Sequence, residues 1–134
     1  MTFRLSQSDS KKLLSIFLWL VAAHSFWVGV GLIILPDSLI NFFGFNKCTE
    51  RFFPSQGGVF HIAMAVGYAM AAFDLRKYDC LIIFSIIVKF LATVFLFIYF
   101  FFVSSIWLVI FSGVSDFLMG LIILILYLSV RRVA

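Results

Sequence analysis

Four apolar runs, each close to the thickness of a membrane, leave this chain few ways to fold. Residues 13–35, 57–73, 80–103 and 105–128 are almost devoid of charge. About twenty such residues, rising 1.5 Å each, make a helix that crosses a hydrocarbon core roughly 30 Å thick. In lipid every backbone N–H and C=O must find its partner within the protein, so runs of this length span as helices. They predict an all-α integral membrane protein, a four-transmembrane-helix antiparallel bundle forming a single membrane domain over residues 1–134.

Composition points to lipid as the main solvent. The chain is 64% hydrophobic and 12% charged, whereas soluble domains run to about half apolar and a quarter charged. A domain this small cannot hide so much apolar surface in a core of its own. Nineteen Phe residues suit helix surfaces that face acyl chains.

The connections are short. The run at 13–35 is about twice the length of a signal-peptide core and no small-x-small site follows it, so it reads as a retained span. Pro36-Asp37 ends it. The loop 36–56 holds Phe42, Phe43, Phe45, Phe52 and Phe53, which predicts a short interfacial helix over 38–43 at head-group level, stopped by Gly44. Residues 74–79 form a charged turn, and Ser104-Ser105 is so brief that the last two spans form a hairpin.

Charge sets the orientation. Arg4, Lys11, Lys12, Arg76, Lys77, Arg131 and Arg132 fall on the side of the termini, against Lys47 and Arg51 on the other. The positive-inside rule then makes both termini cytoplasmic. These clusters flank apolar runs, as membrane-surface charges do, and anionic lipid is their expected partner. No basic stripe with interleaved aromatics tracks a phosphate backbone, so nucleic acid is excluded as a partner. Cys48 and Cys80 fall on opposite sides of the membrane, which rules out a bridge between them.

Ionisable side chains inside the spans carry the functional signal: His24, His61, Lys89 and Asp116. A charge at mid-span costs roughly 2.5–3.5 kcal/mol even on lenient insertion scales. About ten residues into span three and twelve into span four of an antiparallel pair, Lys89 lies roughly 3 Å to one side of the midplane and Asp116 roughly 1.5 Å to the other. A lysine stem covers that gap, so a direct Lys89–Asp116 ion pair is expected. Ser85, Lys89 and Thr93 repeat at i, i+4, i+8 on span three, and Ser112, Asp116 and Gly120 do so on span four. Polar stripes on otherwise apolar helices point to the bundle interior.

On spans one and two the candidates are His24, His61 and Tyr68, with Tyr68 able to offer a hydroxyl or to serve only in packing. Ser25 with Gly29, and Ala63-x-x-x-Gly67-x-x-x-Ala71, are expected packing faces. The histidines differ by roughly 7 Å in depth on this count and have no carboxylate or thiol nearby in sequence. No metal and no cofactor are expected. Each histidine also suits a hydrogen-bonded packing role, and the ion pair also suits a purely structural one.

Several short motifs resemble the DoxX-like superfamily of small four-span bacterial membrane proteins, including its BphX-like group. They are Gly31-Leu-Ile-Ile-Leu-Pro36 with Phe42-Phe43-Gly44, then Gln56-Gly57-Gly58 through His61, Ala72-Phe73-Asp74-Leu75-Arg76, Lys89, and Ser115-Asp116. The resemblance implies a four-span bundle in a bacterial inner membrane but little chemistry, since most of these families have no assigned activity. DoxX is named for a subunit of a thiosulfate:quinone oxidoreductase, and redox-active groups for that chemistry are missing here. A more distant likeness is to sterol-isomerase-type bundles, which place acid–base residues in an intramembrane cavity.

Three functions fit these residues. The first is binding of a lipophilic or amphipathic small molecule, lipid or quinone-like, around Lys89 and Asp116. In it Asp116 sets the protonation of Lys89 and His61 lines the outward mouth. The second is an accessory subunit of a larger membrane complex, or a homo-oligomer. The third is acid–base catalysis or proton-coupled transport by Asp116, Lys89 and His61.

Overall fold

A polar start does not delay the first helix. In the computed structural model, which describes residues 7–46 and 49–131, α1 covers Gln7–Ile34. Arg4, Lys47, Cys48 and Arg132 lie outside the described residues. Asp9 in the first turn favours the positive end of the helix dipole, so α1 begins six residues before its apolar run. Twenty-eight residues make about 42 Å of helix, longer than the hydrocarbon core is thick. Pro36 disfavours helical backbone at Leu35 and ends the helix.

A six-residue α2 (Asp37–Phe42) follows, and the chain turns at Gly44 with φ +90°, a left-handed backbone that suits glycine. Phe43 packs beside Trp107 with ring centroids 6.0 Å apart, which rests the interfacial helix on the start of the last span.

The second span, α3, covers Phe52–Phe73 and starts five residues earlier than its apolar run. Pro54 is accommodated because the first N–H groups of a helix have no partner within it. Glu50 Oε1 accepts a bond from the Phe52 N–H at 3.3 Å. The remaining spans are α4 (Asp79–Phe102) and α5 (Trp107–Arg131). Their turn is closed by the Ser104 N–H on the Tyr99 carbonyl at 3.0 Å. All four long helices have the length and hydropathy of membrane spans, and the protein is an all-α, four-span membrane bundle.

The helices run up and down in sequence order. α1 packs intimately on α3 and α4 on α5, while α1–α5 and α3–α4 form thinner seams. The apolar core lies at the end that holds the termini. Leu14, Leu18, Val21, Ala22, Ala71, Ala72, Ile82, Ile86, Ile123 and Tyr127 meet there, with Tyr68 at the outward edge. The packing face of α3 keeps only part of the expected one. Ala71 is fully buried, but Ala63 is exposed and Gly67 meets open space, whereas Gly58, Ala65, Tyr68 and Ala72 are buried. Small residues occupy two faces of this helix, and the contact with Gly29 selects the one through Gly58.

Two polar clusters fasten the terminal end. Asp79 Oδ2 receives Arg131 at 2.5 Å and the Tyr127 hydroxyl at 3.2 Å, which ties the start of α4 to the end of α5. In the turn after α3, Asp74 Oδ1 accepts the backbone N–H groups of Lys77 and Arg76, each at 3.0 Å. The Lys77 N–H, then the Arg76 N–H and the two cationic side chains, hold the Asp74 carboxyl below the usual carboxylate range. A depressed folded value means the turn is stabilised above the ordinary value of 3.8 and released as pH falls through the lowered one. Amide resonances of Arg76 and Lys77 are therefore expected to titrate with a midpoint under 3.8. They should be flat in Asp74→Ala, and a midpoint at or above the ordinary value contradicts the turn.

Candidate functional site

Where the apolar core ends, the polar residues begin. Lys89 on α4 and Asp116 on α5 form the expected ion pair, with Nζ 2.6 Å from Oδ1 and side chains only 7% and 15% exposed. The reason is local. Lys89 shares a buried face of α4 with Ser85 and Thr93, and Asp116 lies on the α5 face that carries Val109, Gly113 and Gly120. Gly120 makes room for the lysine stem, since a Cβ there would sit 3.0 Å from Lys89 Cβ. The ammonium also lies over the Tyr68 ring of α3, 5.6 Å from its centroid. Tyr68 therefore offers the pair its π face, a favourable partner for a cation out of water.

The hydroxyls of this stripe are mostly occupied by their own helices. Ser85 donates to the Leu81 carbonyl at 2.6 Å, and Thr93 to the Lys89 carbonyl at 2.8 Å. Thr93 also approaches the Gly113 carbonyl at 3.5 Å, which links α4 to α5 one turn outward of the pair. Ser112 is half-buried, one turn before Asp116 on the same side of α5.

The two histidines separate in role. His61 is nine residues into α3, counted from Phe52, because the helix starts before its apolar run. It is not one turn from the mouth, as an origin at Gly57 implies. Ser25 of α1 lies against it, with Oγ 3.0 Å from the His61 carbonyl and 3.3 Å from Nδ1. A hydroxyl has one proton, and the shorter contact, to the carbonyl, takes it. This contact also puts the neighbouring His24 level with His61, so the depth difference of roughly 7 Å counted from the apolar runs does not hold. His24 is exposed on the surface of α1, not turned inward. Ser25 takes the inward position, in line with Leu18, Ala22 and Gly29. The signal for it was available: it continues the helical repeat of that buried face.

Outward of the ion pair, buried residues belong to contacts between two helices. Gly29 meets Gly58, so that a Cβ on either would lie 2.6 Å from the other's carbonyl oxygen, and Gly113 meets Phe97. The ion pair therefore caps the closed half of the bundle. An ammonium has three donors, and the bond to Asp116 uses one. Among the described residues no three His, Cys, Asp or Glu side chains converge to hold a metal ion. The chemistry on offer is a positive hydrogen-bond donor, a carboxylate and an imidazole among apolar helices. No protein-family model matches this chain, and no curated protein or solved structure does so either.

Proposed function

We propose that this protein binds a small lipophilic or amphipathic molecule, lipid or quinone-like, at the level of Lys89 and Asp116. The supporting observation is the position of the ion pair. It sits where the four-helix core stops, and its cation retains donors for a ligand oxygen. Replacing a buried pair by hydrocarbon is often neutral or stabilising, so holding helices together is a weak reason to carry these charges. His61, about two turns of α3 from Tyr68, adds an imidazole on the side of the pair away from the apolar core, and exposed His24 marks the side from which a membrane-dissolved molecule approaches. The termini are assigned to the cytoplasm by the positive-inside rule. Membership of the DoxX-like superfamily, and with it a bacterial inner membrane, is proposed on the sequence motifs alone.

Native mass spectrometry from nanodiscs without delipidation tests the reading. A discrete bound mass, present on the native chain and absent from the Lys89→Met/Asp116→Leu variant, is the expected result. Retention of that mass by the variant removes the site. A bare chain or a homo-oligomer with only bulk phospholipid turns the exposed His24 face into a protein contact and favours an accessory subunit.

A further inference from the structure

At the terminal end, the second and third turns of α1 and the end of α3 leave a groove of about 440 Å³ between them. Its lining divides by chemistry. Ile16, Ala72, Phe73 and Leu75 make an apolar wall, while Lys11, Lys12 and Arg76 supply cations and Asp74 the only carboxylate. That carboxylate already accepts two backbone N–H groups, and Ser15 is engaged with the Ala72 carbonyl at 2.7 Å. Ile16 and Phe73 are exposed, as are Lys12 and Arg76. Phe73 is the last residue of its span, so the groove straddles the level where hydrocarbon gives way to head groups.

The same two helices leave a second groove of about 380 Å³ at the opposite end, lined by Ile33, Phe52, Ser55, Gln56 and Val59. It has no charged side chain. Splaying of α1 from α3 thus makes a groove at each end, and only the terminal one joins an apolar wall to a net positive charge. We infer that this groove is a binding site for one anionic phospholipid, its head group against Lys11, Lys12 and Arg76 and an acyl chain along Ile16 and Phe73. The site is independent of the ligand proposed at Lys89 and Asp116. A zwitterionic head group fits less well because its own cation faces the three basic side chains.

Native mass spectrometry of the full chain in detergent, titrated with phosphatidylglycerol or with phosphatidylcholine of the same acyl chains, reads the preference directly. Phosphatidylglycerol is expected to bind roughly tenfold more tightly or better, given three basic residues at the surface. The Lys11→Gln/Lys12→Gln/Arg76→Gln variant should lose that preference. Ile16→Trp, which keeps every charge and fills the groove, should weaken phosphatidylglycerol as well. Lys89→Met/Asp116→Leu should leave it intact, so the two sites fail separately. Equal binding of the two lipids, or phosphatidylglycerol bound as tightly by Ile16→Trp as by the native chain, overturns the proposal. So does displacement of the lipid by glycerol 1-phosphate at equal concentration, which would make the ligand a free phosphate ester.

Discussion

Asp116→Leu alone is expected to destabilise the protein by about 3–5 kcal/mol, the cost of leaving one member of a buried pair without its partner. Lys89 has 7% of its side chain exposed and lies roughly mid-span, so water is far from its ammonium. The Tyr68 ring is the remaining partner, and a cation–π contact contributes about 2 kcal/mol when desolvated, less than the loss. Lys89→Met with Asp116→Leu removes both charges together and fills the space with similar volumes. Replacing a buried ion pair by hydrocarbon in this way is often neutral or stabilising by about 1–4 kcal/mol. The double variant should therefore be far more stable than the single one. Unfolding by denaturing detergent, followed by tryptophan fluorescence, compares them. A single variant as mild as the double would show that Lys89 escapes to the interface when unpaired.

That comparison bears on function as well. If hydrocarbon serves the fold as well as the ion pair does, stability is not what the charges provide, and a ligand becomes the better account of them. It also makes the double variant a folded background in which loss of a bound mass can be read as loss of the site.

The ion pair was legible in the sequence because a short hairpin turn lets depth be counted from both sides and because charges among Ile, Leu and Phe leave no choice of face. Four spans and their order were legible for the same reason of contrast. The level of His61 was not. Pro54, Ser55 and Gln56 read as loop, yet they lie in the first turns of α3, where proline is tolerated and polar side chains reach the interface. The inward face of α1 was ambiguous because His24 and Ser25 are adjacent, so their directions differ by about 100°. The structure turns the small hydroxyl inward and the larger imidazole outward. The two small-residue faces of α3 were likewise equivalent in composition, and only the partner glycine on α1 distinguishes them.

That partner glycine supports the second large effect. Gly29→Ala is expected to cost about 1–3 kcal/mol or more, as overpacking of a closed contact does. The added Cβ would lie 2.6 Å from the Gly58 carbonyl oxygen and 2.8 Å from Ile62. Ile62 can shift, but the carbonyl belongs to the α3 backbone and cannot move without moving the helix. Gly58→Ala meets the reciprocal obstacle at the Gly29 carbonyl, also at 2.6 Å. Gly67→Ala is the internal control. Nothing lies within 4 Å of its Cβ position, and alanine in a helix interior is favoured over glycine by about 0.8–1.0 kcal/mol, so this variant should be neutral or more stable. The effect reaches the site because Gly29 is one turn from Ser25, and Ser25 holds His61. Separating α1 from α3 at the glycines should lengthen the Ser25–His61 contact and loosen the bound molecule with it. Thermal unfolding in micelles ranks the three variants, and Gly29→Ala as stable as Gly67→Ala would mean that α1 and α3 do not touch at these residues.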